Sequence, residues 1–374
     1  MPVSHPLCRA AQQAHACRQQ GMWDVRTLIS SDEISNPSFN GVWALVRKLG
    51  IAVIGLGTMG LRRIESIQQN PNARVVSVCD SVPRRAESTG AKLNCFYSTE
   101  PAKAVDRSSV DCILVCTPNR SHKQIACQSL SLGKHVFCEK PMATSVVEAE
   151  EMVRAAKRAG VFLKVGSNHR FFPNVTKCRD MIGTGLIGEP LVFRGWIGHG
   201  GSKFGSDWFL DPRVSGGGTL IDNGCHILDI SRWLMGEVVD CFAVVENLND
   251  RTGGPEDYAA VTYRCRSKRI ISISSSWIEW YGYLYFEVFG REGFVIVDAR
   301  SGTRLLYGKR DQDHVMTYDY TNLAPQSYRL EMEAFIDGIR AGREPLPNGD
   351  DGLRVIRMIH AAYGSSKTGR QIEV

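Results

Sequence analysis

The spacing of apolar positions divides the chain into two regions. From residue 48 to about residue 165, short continuous apolar runs alternate with segments of helical spacing. This alternation is typical of a doubly wound parallel sheet with helices on both faces. Beyond residue 165, apolar runs of β type follow one another with short turns between them, which indicates a largely antiparallel sheet. The pattern therefore predicts an α/β domain followed by an α+β domain.

In the first region, four apolar runs have the composition of buried strands. They cover residues 51–54, 74–79, 111–116 and 133–137. Helical spacing lies between or after them, at 59–69 and 145–159. In the second region, the predicted strands cover 191–197, 238–246, 258–264 and 270–278, with a hairpin formed by 283–289 and 294–298. Helices are predicted at 174–182 and, near the end of the chain, at 328–341 and 351–365.

Three segments follow from this pattern. Residues 1–46 show no clear periodicity, no apolar core of a secretory signal and little arginine. We interpret them as a poorly ordered extension or an over-long gene start rather than as a targeting peptide. Residues 47–166 form the first predicted domain and residues 167–374 the second.

Composition and charge exclude several classes of protein. The chain has 374 residues, of which 43% are hydrophobic and 22% charged, values ordinary for a globular protein with two cores. Its net charge of +6 comes from 45 basic and 39 acidic residues spread along the chain. The absence of a basic run argues against a nucleic-acid partner. No run of eighteen apolar residues predicts a membrane span.

The cysteines indicate a reducing compartment. The chain has 12 of them, scattered and without a C-x-x-C pair, and several lie in apolar, strand-like runs. Buried reduced thiols therefore explain them better than a disulfide framework or a zinc site. We expect a cytoplasmic protein without a bound metal.

A glycine-rich loop follows the first predicted strand. Gly55, Gly57 and Gly60 have G-x-G-x-x-G spacing, with Thr58 and Met59 between them. In a dinucleotide-binding loop, the first glycine permits the turn, the second lets a pyrophosphate approach the backbone, and the third lets the helix pack on the sheet. The following helix would direct its free N–H groups at the phosphates. The loop predicts a Rossmann domain that binds NAD or NADP.

A carboxylate at the end of the second predicted strand indicates which dinucleotide binds. Asp80 stands where a dinucleotide fold places the acceptor for the adenosine ribose hydroxyls. A carboxylate repels a 2′-phosphate, so Asp80 favours NAD. Arg84 and Arg85 leave NADP open as the alternative, since either could bind such a phosphate.

A turn after the third strand provides further cofactor contacts. Thr117, Pro118 and Asn119 follow the strand at the edge where ligands of such sheets bind, and Asn119 offers an amide to a cofactor. His122 begins the next helix. A packing role and a cofactor-side role are equally open for this histidine.

A tripeptide at the end of the fourth strand carries a family resemblance. Glu139, Lys140 and Pro141, together with the glycine loop and the 117–119 turn, are similar to motifs of the Gfo/Idh/MocA family, which includes glucose-fructose oxidoreductase and inositol dehydrogenase. The resemblance implies that this tripeptide lies between cofactor and substrate, that Lys140 contacts the substrate hydroxyl, and that the lysine–proline bond is often cis. A cationic nicotinamide beside Lys140 would disfavour its ammonium form.

A second chemical segment lies in the predicted α+β domain. Three glycines at 216–218 precede a helix on which Asp222, His226 and Asp229 have spacings that place them on one face. This face could be a satisfied buried network. The resemblance instead implies that Asp222 and His226 lie at the substrate, since the family has the pattern G-G-G-x-x-x-D-x-G-x-H-x-x-D here.

Other substrate contacts are predicted nearby. Trp208 and Arg213 lie in a segment, 207–213, that resembles the family's loop over cofactor and substrate. Asn168 and Arg170 follow the first domain and complete the predicted substrate contacts.

The second sheet is the predicted assembly surface. Trp277, Trp280 and Tyr281 indicate an aromatic face suited to contact between subunits. The resemblance implies a homodimer or homotetramer formed through this sheet, and final helices that pack back on the cofactor domain.

These motifs predict an NAD(P)-dependent oxidoreductase acting on a secondary alcohol or ketone of a sugar, inositol or nucleotide-linked sugar. His226 is the predicted general base, Lys140 steadies the alkoxide, and Asp222 orients substrate or His226; the two basic groups could exchange roles.

Three alternatives remain open: a non-catalytic cofactor sensor, a dihydrodiol dehydrogenase-like enzyme, and an NAD-using glycosidase. A sensor would lack the catalytic groups, and the dihydrodiol dehydrogenase-like relatives typically have an aromatic residue at position 226. The glycosidases have a different glycine and tyrosine-proline-histidine arrangement, which this chain lacks.

Overall fold

The computed structural model describes residues 47–200, 206–249, 254–300, 303–321 and 326–374, with the side chain of Trp280 left out. The extension predicted for residues 1–46 lies outside the described residues. Lys48–Val374 forms one compact unit, which holds two sheets. No helix among the described residues combines the length and the apolar character that crossing a membrane requires.

The first sheet is parallel throughout, in the order β3-β2-β1-β4-β5-β6. Its strands are β1 (Leu49–Ile54), β2 (Ala73–Cys79), β3 (Phe96–Ser98), β4 (Cys112–Val115), β5 (His135–Cys138) and β6 (Leu163–Val165). The helices that connect them are α1 (Thr58–Gln68), α2 (Pro83–Leu93), α3 (Pro101–Val105), α4 (His122–Ser131) and α5 (Val146–Ala159).

The central strands of this sheet explain the continuous apolar runs. Every residue from Ile51 to Ile54 is buried, because helices cover both faces. Ile54 pairs with Val115, so β1 and β4 end side by side. The strand order reverses at this pair, which is where open α/β sheets bind their ligands.

The second sheet follows and is mainly antiparallel, in the order β14-β13-β12-β11-β7-β10-β9-β8-β15. Only the β7–β10 pair is parallel among its described pairings. Its strands are β7 (Pro190–Gly200), β8 (Val238–Glu246), β9 (Tyr258–Cys265), β10 (Ile270–Ser276), β11 (Ile278–Gly290), β12 (Gly293–Asp298), β13 (Arg304–Lys309), β14 (Met316–Asp319) and β15 (Ile372–Glu373). The predicted fold class, a Rossmann domain followed by an α+β domain, is confirmed.

Helices join the two sheets. They are α6 (Pro173–Gly183), α7 (Pro212–Ser215), α8 (Cys225–Met235), α9 (Ser327–Arg340) and α10 (Gly349–Thr368), and a π-helical turn, Leu220–Gly224, runs directly into α8. On α9, Met332, Phe335 and Ile336 pack in one cluster with Ile51 and Phe137 of the parallel sheet. This helix therefore contributes apolar side chains to the core beneath the parallel sheet.

Two parts of the sequence prediction were wrong in detail. The predicted strand 270–278 is broken, since β10 ends at Ser276 and β11 begins at Ile278. The prediction also missed the short strands β3, β6, β13, β14 and β15. Strands of two to six residues present too few positions for a period to be read.

Candidate active site

The three glycines of the loop differ in what surrounds them. Gly55 has φ +93°, and a Cβ there would lie 2.5 Å from the Cys116 carbonyl oxygen. A Cβ on Gly60 would lie 1.9 Å from the carbonyl oxygen of Gly55. A Cβ on Gly57 would meet no described atom within 4 Å. Gly55 and Gly60 are thus required by the fold, whereas Gly57 leaves the backbone open to a ligand.

The N-terminus of α1 suits an anion. Gly57 is its N-cap, and neither a side-chain cap nor an acidic residue in the first turn occupies its N–H groups in the described structure. Thr58 is exposed and Met59 is half-buried, so the first turn is accessible. Because the helix dipole and free N–H groups favour negative charge, these residues fit the pyrophosphate of NAD.

Asp80 lies at the end of β2, beside the loop. Its Oδ2 accepts from the Leu56 N–H at 2.8 Å, and its Oδ1 accepts from the Val82 N–H at 2.9 Å. The carboxylate therefore braces the glycine loop, in addition to the ribose contact predicted for it. Arg84 and Arg85 are exposed in the first turn of α2, and the structure leaves both side chains at the surface.

The turn after β4 is tied to the second domain. Asn119 donates from Nδ2 to the Ser215 carbonyl oxygen at 2.8 Å, so its amide holds the segment before the three glycines. The buried Oγ1 of Thr117 has no hydrogen-bond partner among the described residues and is thus available to a ligand at this edge. Pro118 is exposed at the tip of the turn.

His122 is fully buried behind this turn. Its Nδ1 lies 2.9 Å from the Pro141 carbonyl oxygen and its Nε2 lies 2.9 Å from the Thr117 carbonyl oxygen. Burial lowers its pKa, although both carbonyls act in the opposite direction. The imidazole thus packs between the 117–119 turn and the 139–141 tripeptide. This position corresponds to the packing role, one of the two roles that the sequence left open for His122.

Glu139 takes part in a buried ionic network. Its Oε1 accepts from Arg63 Nε at 2.7 Å, and its Oε2 accepts from the Lys140 N–H at 3.4 Å. The Arg63 guanidinium lies between the rings of Phe137 and Tyr328, and its Nη2 is 2.8 Å from Glu331 Oε2. Glu139 was predicted as a cofactor contact, and the structure commits its carboxylate to Arg63.

The network continues to the edge strand of the parallel sheet. Glu331 Oε1 accepts from Lys164 Nζ at 2.8 Å and from the Ser167 N–H at 2.6 Å. Lys164 and Glu331 are fully buried. Two buried cations, Arg63 and Lys164, are thus matched by two carboxylates, Glu139 and Glu331, which is the condition under which buried charges are tolerated.

Lys140 reaches across to the helix of the second domain. The Lys140–Pro141 bond is cis. The Nζ atom donates to Asp222 Oδ1 at 2.8 Å and to the Asp222 carbonyl oxygen at 2.9 Å. Burial lowers the pKa of Lys140, but Asp222, together with Cys225 and Glu139, raises it by more, so the pKa lies above its ordinary value. From the sequence, the pKa of Lys140 was expected to be lowered by a neighbouring nicotinamide. That expectation did not include the ion pair with Asp222.

Asp222 stands in the π-helical turn, a kind of distortion that is frequent at functional sites. Its Oδ2 accepts from Trp277 Nε1 at 3.3 Å and lies 3.6 Å from His199 Nε2. Burial raises the pKa of Asp222, but Lys140 and His199 lower it by more, so its pKa lies below the ordinary range. The carboxylate is therefore charged and held from three sides.

His226 lies beside a second histidine. Its ring centroid is 3.9 Å from that of His169, and it lines one small cavity with Lys140. Burial lowers the pKa of both imidazoles and the Lys140 charge lowers both further, to about 3 for His169 and well below the ordinary value for His226. Both histidines are therefore neutral at neutral pH.

Asp229 points to a different group from Asp222. Its Oδ2 accepts from Ser167 Oγ at 2.6 Å and Arg170 Nε at 2.7 Å, and its Oδ1 accepts from Arg170 Nη2 at 2.5 Å. Arg170 also lies 3.6 Å from Asp351. The three residues of the predicted face thus have different partners: Asp222 pairs with Lys140, His226 contacts His169, and Asp229 pairs with Arg170. Asp229 and His226 nevertheless line the same small cavity as Lys140.

The remaining predicted substrate residues have partners of their own among the described residues. Arg170 is buried in the ion pair just described, and Asn168 donates from Nδ2 to Ser327 Oγ at 3.1 Å. Trp208 stacks on Phe209, with ring centroids 3.9 Å apart. Arg213 is exposed and makes a bidentate pair with Asp211. None of these four contacts involves Lys140, Asp222 or His226.

Sequence reasoning missed three residues around Asp222 and His226. Trp277 was expected on an assembly surface, but it is only 3% exposed and donates to Asp222, so that expectation was wrong for this residue. Tyr281, by contrast, is 56% exposed. His169 and His199 were not singled out, because an isolated histidine in a sequence carries no partner information.

A larger groove lies elsewhere. It has a volume of about 610 Å³ and runs between α4 and α5, where Lys123 and Glu151 form an ion pair of 2.6 Å. It shares no residue with the groups described above. Among the described residues, no cluster of three or more His, Cys, Asp or Glu side chains has a metal-holding arrangement.

Comparison with protein families gives two matches. A model described as an oxidoreductase family with an NAD-binding Rossmann fold (Gfo/Idh/MocA) matches residues 49–167. A model of the C-terminal alpha/beta domain of the same oxidoreductase family matches residues 179–374.

Individual relatives span nearly the whole described chain. Myo-inositol 2-dehydrogenase of Thermotoga maritima is 30% identical over 332 residues, which are 87% of this chain and 98% of that protein. A crystal structure of aldose-aldose oxidoreductase from Caulobacter crescentus complexed with glycerol has a TM-score of 0.77 at 26% identity, covering 88% of this chain and 100% of that one. Levoglucosan dehydrogenase in complex with NADH and levoglucosan shares the fold, with a TM-score of 0.82 at 22% identity over 88% of this chain and 99% of that one.

Proposed function

The chain belongs to the Gfo/Idh/MocA family of NAD-binding oxidoreductases, and from this membership we propose that it transfers a hydride between NAD and a secondary alcohol or ketone carbon of a sugar, an inositol or a nucleotide-linked sugar. The similar proteins named above carry names that refer to an inositol, to levoglucosan and to aldoses. NAD is the preferred dinucleotide in this proposal because Asp80 stands beside the loop.

The ion pair between Lys140 and Asp222, with neutral His226 on the same small cavity as Lys140, carries the proposal. It sets a charged donor and a neutral base next to each other at the edge where β4 and β5 end. The buried Oγ1 of Thr117, His169 Nδ1 and Asn223 Nδ2 lack partners among the described residues, so polar groups are available to ligands around this edge.

The residues have separate roles in the proposed reaction. Bound NAD⁺ supplies the acceptor for the hydride that leaves the carbinol carbon. Lys140 donates a hydrogen bond to the substrate oxygen and stabilises negative charge as the O–H bond breaks. His226, neutral and therefore able to accept, takes the hydroxyl proton. The alcohol thus loses one hydride and one proton and becomes a ketone.

The lowered pKa of His226 has a defined consequence for this role. Burial, His169 and Lys140 all disfavour the imidazolium that would form, so the proton must pass on to solvent. The raised pKa of Lys140 makes it a poor base while Asp222 is ionised. Of the two assignments open from the sequence, we therefore propose His226 as the base and Lys140 as the electrostatic group.

We also propose the domain division and the setting of the enzyme. Residues 47–166 would bind NAD, and residues 167–374 would bind the substrate and form a homodimer or homotetramer through the second sheet. Exposed Phe242, Val244 and Tyr281 on that sheet support assembly. The ten described cysteines are all free, which supports a reducing compartment such as the cytoplasm.

The test begins with fluorescence titration of the purified protein with NADH and NADPH. A dehydrogenase screen over inositols, aldoses and nucleotide sugars follows, with the preferred cofactor. We expect tighter binding of NADH and turnover with one of these classes, abolished in Lys140→Ala. Tight NADH binding without turnover on any compound would favour the alternative of a cofactor sensor.

A further inference from the structure

The start of the catalytic helix is held by a residue that sequence motifs do not mark. Glu256 lies just before β9, and its Oε2 accepts from the Gly218 N–H at 2.7 Å. Its Oε1 accepts from the Leu220 N–H at 3.2 Å and from the hydroxyl of Tyr363, on α10, at 2.7 Å. One carboxylate thus receives three hydrogen bonds, two of them from the entry to the π-helical turn.

The backbone of Glu256 approaches the same turn. Its carbonyl oxygen accepts from the Thr219 N–H at 3.0 Å, and a Cβ on Gly218 would lie 1.8 Å from this oxygen. Only glycine therefore fits at position 218. The Tyr363 hydroxyl likewise lies where a Cβ on Gly217 would come within 2.2 Å. The glycine run, assigned to helix entry from the sequence, is packed against Glu256 and Tyr363.

A short path links this contact to the proposed chemistry. The Asp222 N–H donates to the Gly218 carbonyl oxygen at 3.0 Å, so the residue held by Glu256 also sets the position of Asp222. Asp222 in turn pairs with Lys140. A negative charge at this helix entry also interacts favourably with the helix dipole.

We propose that Glu256 is a positioning residue that acts through Gly218 and Leu220 to hold Asp222 at its distance from Lys140, with Tyr363 fixing the orientation of the Glu256 carboxylate. This inference rests on the proposed dehydrogenase function. It adds a residue that does not touch substrate or cofactor but determines how precisely the ion pair is aligned.

Glu256→Gln tests the proposal with little change in size. A Gln amide has one acceptor oxygen, so in either orientation its NH₂ group would face a backbone N–H, that of Gly218 or that of Leu220. We expect kcat to fall about 10-fold or more with the Kd for NADH within about twofold of wild type, since positional errors act on the chemical step. Tyr363→Phe, which keeps the ring, should lower kcat by a smaller factor.

Asp257→Asn is the matched control. Asp257 is the next residue, is buried, and also accepts from two backbone N–H groups, those of Leu248 and Asn249, both at 2.8 Å. Its side chain braces a connection between strands rather than the helix. We expect Asp257→Asn to lower the melting temperature without changing kcat measured well below it. A kcat loss equal in the two variants would overturn the proposal, as would a Glu256→Gln kcat within twofold of wild type.

Amide hydrogen exchange gives a readout that does not need turnover. Exchange in a peptide covering residues 216–226 should become faster in Glu256→Gln and in Tyr363→Phe, but not in Asp257→Asn. If wild type fails to oxidise any compound while this exchange difference is present, the dehydrogenase assignment fails and the role of Glu256 in holding the helix stands. If exchange is unchanged in both variants, or if Glu256→Gln does not fold and Tyr363→Phe matches wild type in kcat and exchange, the positioning role is excluded.

Discussion

The Nζ atom of Lys140 lies 2.8 Å from Oδ1 of Asp222, so a lysine at the end of the parallel sheet is paired with a carboxylate on the helix of the second domain. The pair is formed by residues from both halves of the chain. The charges of the pair therefore depend on the two halves being held together. Removing the pair should lower kcat more than it weakens cofactor binding.

Asp222→Asn removes the countercharge of Lys140 at nearly constant volume. We expect kcat to fall by about 100-fold or more, because the ammonium loses the partner that orients it toward the substrate oxygen. The Kd for NADH should change little, since the glycine loop is untouched. Steady-state kinetics and NADH fluorescence measure the two quantities.

Asp298→Asn is a suitable control for that variant. Asp298 ends β12 of the second sheet and pairs with Arg300 at 2.8 Å. Its kcat should equal that of wild type. An Asp222→Asn enzyme with the same kcat as this control would show that the ion pair has no part in the reaction.

The buried histidines should make stability depend on pH. An unfolded imidazole titrates near its ordinary pKa of 6.5, whereas the pKa of folded His169 is about 3. Between these values the unfolded chain binds more protons, so stability is fully present above about pH 6.5 and is lost as pH falls toward 3. His226 shifts in the same direction. Urea unfolding at several pH values should give a free energy of unfolding that decreases across this window.

His169→Asn isolates one part of this effect. The variant should show a weaker decrease in the free energy of unfolding on acidification than wild type. The exposed His314 provides the control, since His314→Asn should leave the decrease unchanged. Equal pH dependence in His169→Asn and wild type would contradict the lowered pKa of His169.

Arg63→Met should be strongly destabilising. The change leaves the buried Glu139 without the cation of its ion pair, and it leaves Glu331 with Lys164 as its remaining cation. Removing one partner of a buried pair typically costs about 3–5 kcal/mol. Urea unfolding measures this loss, and Arg291→Met, at an exposed pair with Glu189, should leave stability nearly unchanged. A small effect of Arg63→Met would mean that the two carboxylates are neutralised in another way.

Gly57→Ala and Gly60→Ala should separate ligand binding from folding. A Cβ at position 57 meets no described atom, so the first variant should fold normally and bind NADH at least about 10-fold more weakly, because the methyl group obstructs the approach to the backbone. A Cβ at position 60 would lie 1.9 Å from a carbonyl oxygen, so the second variant should lose stability. Thermal unfolding without ligand and NADH titration test both. Equal melting temperatures in the two variants would contradict the distinction.

The elements that could be predicted from the sequence are those whose signal is local. The run from Ile51 to Ile54 is apolar because it is covered on both faces, and the glycine spacing next to it reflects local turn and packing geometry. Trp277 shows where local signals fail. Its aromatic character predicted an assembly surface, whereas its indole N–H donates to Asp222 in the site. The residues next to Trp277 in the sequence do not determine on which face of the sheet its side chain lies, because it stands between two strands.

Only those residues of the candidate site that belong to sequence motifs could be predicted. Lys140, Asp222 and His226 belong to motifs, and the structure brings Lys140 to Asp222 and His226. The buried ion pairs of Arg63 belong to no motif, because Arg63 and Glu331 meet only when α9 packs against α1, far apart in the chain. Pairings of this kind depend on tertiary packing, and a single sequence does not contain them.

The position of Glu331 limits how the protein can be divided. This carboxylate comes from α9, near the end of the chain, yet it neutralises Arg63 and Lys164 inside the parallel sheet's own core. A fragment ending at residue 166 would retain two buried cations with a single carboxylate and would also lack the apolar cover from Met332 and Phe335. During synthesis, the cofactor half therefore cannot reach its final fold until the last helices have left the ribosome, and this half is not a module that can be transplanted alone.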